Sequence, residues 1–202
     1  MPRALLVVDA QNDFTEGGPL GVEGATGVFE RIAAHLGAHS GDYAVIIATQ
    51  DWHIDPGSHW ADEPDYVNSW PRHCAAGSDG AELNGIISAA LARVEAIPVL
   101  TVVKGEYEAA YSGFEGHVPE HAGEQQGHHL AGQSLDQALR AYDIDELDIV
   151  GLATDYCVRA TALDAIRHGY TIRLLTDMVT AIDASAGRAV CAEISAAGGQ
   201  IA

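Results

Sequence analysis

The sequence predicts an α/β fold: a three-layer αβα sandwich around a mainly parallel, Rossmann-like sheet of about six strands. Three features lead to it. Short β-branched apolar runs recur along the chain, stretches with apolar residues at helical spacing separate most of them, and the runs themselves are almost continuously hydrophobic. The last feature decides the kind of sheet. A strand covered on both faces has no polar side, as in Val45-Ile46-Ile47-Ala48, whereas a strand half open to water alternates.

In chain order, residues 4–8 form the first strand and 28–39 the first helix. A second strand follows at 43–49. Residues 52–80, rich in Pro, His, Trp and Asp, fit neither period and read as a long loop, after which 81–93 has helical spacing. Residues 97–103 are the third strand. A second long loop occupies 105–132, with Gly, Glu, Gln and the histidines His117, His121, His128 and His129. Helix 134–142, strand 147–152, helix 158–168 and strand 170–175 complete the alternation. A last helix covers about 185–197 before the Gly198-Gly199 break, and a short strand includes Ile201.

No repeat or linker divides the chain, so one domain over 1–202 is expected, with an aliphatic core: 48% of residues are hydrophobic and only 6% aromatic. A formal charge of −19 repels phosphate backbones and anionic lipid headgroups, which argues against nucleic acid and membrane partners; a small neutral substrate would be largely indifferent to that field. Three cysteines are too few for a disulfide scaffold, and the apolar run at 4–8 is too short for a secretory leader. A reducing cytoplasm is therefore expected. A homodimer is the base-rate expectation for assembly.

Open parallel sheets bind ligands beyond the carboxyl ends of their strands. The residues there are Asp9, Asp51, Lys104 and Thr154-Asp155-Tyr156-Cys157. Cys157 stands where a strand gives way to a helix, where the helix dipole and free N–H groups favour a thiolate; the other reading is a small buried hydrophobe. Asp9 closes an apolar strand and needs a partner. It could take a thiol proton and return it to a leaving amine, or cap a turn. Lys104, at the same rim, could pair with Asp9 and lower its pKa, or be a solvated strand end.

Asp51, His53, His59 and His73 supply one carboxylate and three imidazoles within one loop region, a set suited to a single divalent ion, Zn, Mn or Fe; the other reading is that the histidines decorate an acidic loop. Phe14, Trp70, Tyr107 and Tyr111 flank these positions and could border a flat ring. The four histidines of the second loop lack any ordered spacing and read as solvated. No G-x-G-x-x-G or G-x-x-x-x-G-K-[ST] follows a strand, which excludes the usual nucleotide-phosphate loops.

Val8-Asp9-Ala10-Gln11-Asn12-Asp13-Phe14, Thr49-Gln50-Asp51-Trp52-His53, Trp70-Pro71-Arg72-His73-Cys74, Lys104-Gly105 and Gly151-Leu152-Ala153-Thr154-Asp155-Tyr156-Cys157-Val158 together resemble the nicotinamidase/pyrazinamidase family of isochorismatase-like cysteine hydrolases. The resemblance runs from about residue 3 to 180. It implies a triad of Asp9, Lys104 and Cys157, and a metal held by Asp51, His53, His59 and His73 that takes the ring nitrogen of nicotinamide or water. It further implies an oxyanion hole from the backbone N–H groups of Ala153 and Cys157, a cis peptide at Leu152-Ala153, and Phe14, Trp70 and Tyr111 around the pyridine ring. The implied activity is conversion of nicotinamide, and of pyrazinamide, to acid and ammonia. Two rivals stand beside it: a metal-dependent amidase whose metal-bound hydroxide attacks directly, and a non-catalytic relative that kept the fold.

Overall fold

The structure is a computed structural model and describes residues 1–120 and 128–202. Six strands form one sheet in the order β3-β2-β1-β4-β5-β6: β1 (Arg3–Val8), β2 (Val45–Asp51), β3 (Val99–Lys104), β4 (Glu146–Gly151), β5 (Thr171–Val179) and β6 (Gln200–Ile201). Every pairing between them is parallel. Chain order reverses at β1, so the crevice between β1, β2 and β4 is the topological switch point.

Alternate residues of the central strand serve different layers, because side chains on a strand point to opposite faces. Leu5 and Val7 pack with Phe29, Ile32 and Leu36 of α1 (Ala25–His39) and with Ile87 and Leu91 of α2 (Gly85–Leu91). Leu6 and Val8 pack with Leu135 and Leu139 of α3 (Leu135–Ala141), Ala162 of α4 (Arg159–Arg167) and Ile194 of α5 (Ala184–Ala196). Two apolar layers around one sheet are the sandwich that the hydrophobic strands predict.

The helix expected over 81–93 is shorter than its apolar spacing suggests. Asn84 caps it, its side chain accepting from the Ile86 N–H, while the residues before it serve the loop. The Ala81 carbonyl accepts from the side chains of Gln11 and Gln50, and the Asn84 N–H donates to Ala10. Backbone groups engaged in this way cannot join a helical ladder.

Toward the opposite end of the strands lies a separate polar cluster. Asp148 is fully buried in β4; Arg173 donates to both of its oxygens, at 2.7 and 2.6 Å, and the Tyr43 hydroxyl donates at 2.9 Å. His35 in turn hydrogen-bonds Tyr43 at 2.7 Å. Among the described residues no helix is long and apolar enough to cross a membrane.

Candidate active site

Asp9, immediately after β1, is buried and has φ +47°, a conformation that aspartate tolerates better than most residues. Its backbone N–H donates to the Thr49 carbonyl and to Thr49 Oγ1, both at 3.2 Å, and the Thr49 hydroxyl donates back to Asp9 Oδ1 at 2.6 Å. Lys104, the last residue of β3, is also buried rather than solvated. Its ammonium lies 3.0 Å from Asp9 Oδ2, bonds Asp51 Oδ1, donates to the Ala110 carbonyl at 3.2 Å and approaches Cys157 Sγ at 3.7 Å.

Asp51 ends β2, and Gln11 fixes its backbone from β1's side. The Gln11 amide donates to the Asp51 carbonyl and accepts from the Asp51 N–H, each at 2.8 Å.

Cys157 sits in a π-helical turn, Thr154–Val158, between β4 and α4, the kind of local irregularity that recurs at functional sites. The Ala153 carbonyl accepts from both Tyr156 and Val158, which tightens the turn. The cis bond expected at Leu152-Ala153 is not found. Ala153 is extended, with φ −89° and ψ 142°, and the π-turn after it reverses the chain with a trans peptide.

Electrostatics corrects two further expectations. Burial pushes the Cys157 thiol well up, and Asp9 and Asp51 push the same way against the opposing pull of Lys104, so the thiol is protonated at rest rather than a dipole-stabilised thiolate. Burial likewise raises Asp9; Lys104 opposes it without reversing the direction, and Asp51 adds to the rise. For Lys104, burial acts against the charge, but Asp51 and Asp9 outweigh it and hold the ammonium well above its ordinary value. For Asp51, burial is opposed by Lys104 and the neighbouring imidazoles, which carry its carboxyl well below the usual range.

His53, His59 and His73 are buried, each offering one nitrogen, all within 4.8 Å of one another. The Gly105 carbonyl takes the His53 Nδ1–H at 2.5 Å and the Pro71 carbonyl takes that of His73 at 2.7 Å, so both Nε2 atoms face inward, 3.3 Å apart. Two imidazoles bound at 2.0–2.1 Å to one tetrahedral ion would be separated by about 3.3 Å. Asp51 Oδ2 lies 3.7 and 3.9 Å from the same two nitrogens, and His59 Nδ1 is buried without a hydrogen-bond partner among the described residues. Burial pushes His73 down and His59 down to about 4, so both are neutral ligands at neutral pH. The residues fit a divalent metal. A second group of possible ligands, Asp9, Asp51 and Cys157, already surrounds the Lys104 ammonium, which favours the imidazoles with Asp51 as the cradle.

Asp9, Asp51, His59, His73 and Cys157 border one cavity of about 440 Å³, lined also by Phe14, Trp70, Tyr111, Tyr156, Leu20, Val22 and Ile182. Trp70 Nε1 donates to the Tyr111 hydroxyl at 3.1 Å, fixing two walls of it, whereas Tyr107 is exposed and lies outside. Among the second-loop histidines, His117 bridges the backbones of Val103 and Ser134 at the sheet edge, its ring half-exposed 3.8 Å from Glu106; His128 opens the short turn His128–Leu130. His121 lies outside the described residues, and neither His117 nor His129 joins the imidazole group.

Thr49 and Gln11 carry no assigned role in the sequence, although both stand two residues from a candidate acid, Asp51 and Asp9. That spacing puts Thr49 on the same face of β2 as Asp51. For Ile182, which enters the cavity wall from far along the chain, no sequence signal exists.

The isochorismatase domain family matches residues 3–202. A nicotinamidase/pyrazinamidase from Mycobacterium tuberculosis is 42% identical over 195 residues, which cover 96% of this chain and 95% of the relative. A crystal structure of pyrazinamidase of Pyrococcus horikoshii in complex with zinc matches with a TM-score of 0.76 at 30% identity, over 100% of this chain and 99% of that one. PnC1 from L. infantum, crystallised in complex with nicotinate, matches with a TM-score of 0.77 at 28% identity, over 100% of this chain and 92% of that one.

Proposed function

The chain belongs to the isochorismatase domain family, and from that premise we propose that it is a nicotinamidase, hydrolysing nicotinamide to nicotinate and ammonia through a thioester on Cys157, and accepting pyrazinamide as well. The observation that carries this reading is a buried ammonium 3.0 Å from Asp9 and 3.7 Å from Cys157, behind a carboxylate and a thiol that themselves line an aromatic cavity together with His59 and His73. Likeness to the mycobacterial nicotinamidase/pyrazinamidase supports the substrate.

In this mechanism Phe14, Trp70 and Tyr111 hold the ring, and Asp51, His53, His59 and His73 hold a divalent ion, Zn, Mn or Fe. Bound there, the ion supplies a Lewis acid for the ring nitrogen or for water. Asp9 takes the Cys157 proton; its raised pKa makes it a usable acid as well as a base, and Lys104 stabilises the ion pair that forms. Sulfur attacks the amide carbon, and the Ala153 and Cys157 N–H groups receive the oxyanion. Asp9 then protonates the departing ammonia. Water cleaves the thioester, releasing nicotinate and restoring the thiol.

The test is Cys157→Ala beside the wild type, both metal-replete, followed by ammonia and nicotinate release. Loss of at least about 10³-fold is expected, on the scale of removing a covalent nucleophile. Substantial turnover without the sulfur would overturn the covalent route.

A further inference from the structure

We propose that Thr49 is a positioning residue that assigns the two oxygens of Asp9 different jobs, leaving Oδ2 alone to receive the Cys157 proton. The proposal rests on the reading of Cys157 as nucleophile and Asp9 as its base. The Thr49 hydroxyl has a single proton, which it donates to Asp9 Oδ1 at 2.6 Å, while Thr49 Oγ1 itself accepts from the Asp9 N–H at 3.2 Å. One hydroxyl thus holds both ends of a residue whose backbone is in the left-handed region, at φ +47°. Oδ2 is the contrasting oxygen. It is buried with no well-aligned donor among the described residues, 3.0 Å from the ammonium that also reaches Cys157.

A carboxylate free to rotate would divide an incoming proton between two oxygens. With Oδ1 already held by an O–H donor, Oδ2 is the oxygen left to take the thiol proton, and the same Oδ2–H is placed to protonate the leaving ammonia. Removing the donor leaves a buried carboxylate oxygen unpaired, a change that burial makes expensive.

The two branches of the Thr49 side chain have separate neighbours, which makes the idea testable. Its methyl group lies where a Cβ on Gly113 would come within 3.1 Å, so it packs toward that loop, while its hydroxyl serves Asp9. Thr49→Val keeps the shape and loses the hydroxyl; Thr49→Ser does the reverse. Positioning predicts a kcat on nicotinamide about 10- to 100-fold lower in the Val variant, with KM within about threefold, and a kcat restored to within about threefold in the Ser variant. Alkylation of Cys157 by iodoacetamide, quantified on its own peptide by mass spectrometry, is expected to follow the same order. That assay needs no substrate and stands even if nicotinamide is not turned over. The opposite order, with Val near wild type and Ser impaired, or alkylation rates equal in all three proteins, would overturn the proposal and leave Thr49 a packing residue.

Discussion

Asp9, Lys104, Cys157, Asp51 and the three imidazoles are all buried, so single protonation events bear on the whole chain. His59 is held down to about 4 by burial and by its two imidazole neighbours, against an ordinary value near 6.5. The folded chain therefore binds this proton later than the unfolded chain does. Above pH 6.5 neither state carries it and nothing is lost; between pH 6.5 and 4 the unfolded state gains protons first, and stability falls with falling pH. His73 is shifted in the same direction. In metal-stripped protein the melting temperature is expected to drop by about 5 °C or more across that window, and by less in His59→Gln. A wild-type melting temperature that stays level from pH 6.5 to 4.5 would contradict it. The residues of this region were readable because Asp51, His53, His59 and His73 crowd into one segment of sequence. Thr49 and Gln11 were not, since a threonine and a glutamine near a strand end carry no chemistry until their partners, 40 residues away, are brought beside them.

At the scale of elements, the ends of the strands are shaped as closely as the side chains they carry. Gly105 follows β3 with φ +76°; its carbonyl accepts from His53, and a Cβ there would stand 2.6 Å from the imidazole Cε1. Gly105→Ala should therefore strain the turn and displace the ring, weakening metal affinity about 10- to 100-fold while leaving the fold intact. Competition with a chelator measures it; unchanged affinity would mean that the turn yields without moving His53. Continuous apolar runs identified the strands because burial on both faces leaves so little room for polar residues. The same apolar signal overextended α2, since Ala81 and Leu83 have helical spacing but commit their backbone to the loop around Gln11. The backbone form at Leu152-Ala153 was beyond reach for a related reason. Peptide geometry before a π-turn is set by what the turn must meet in three dimensions.

Across the whole molecule, the charge of −19 coexists with a cavity whose internal charges are paired, Lys104 with Asp9 and Asp51. A neutral amide feels little of the outer field, so kcat/KM for nicotinamide should vary less than about twofold between 50 and 500 mM salt. A change of tenfold would show that surface charge takes part in the rate-limiting encounter. The sheet's reversal of order at β1 puts Asp9 between the strands that deliver Asp51 and Cys157, and each pairing is parallel, so every contribution arrives at the same rim. The chemistry therefore occupies one end of the sheet. The cluster of Asp148, Arg173 and Tyr43 lies toward the other end, three strand residues, or about 10 Å, before β4 finishes. Changes that far apart with no shared partner add independently. The Asp148 cluster can thus be altered without disturbing the end of the sheet that meets the substrate, and an engineer can work on either without renegotiating the other.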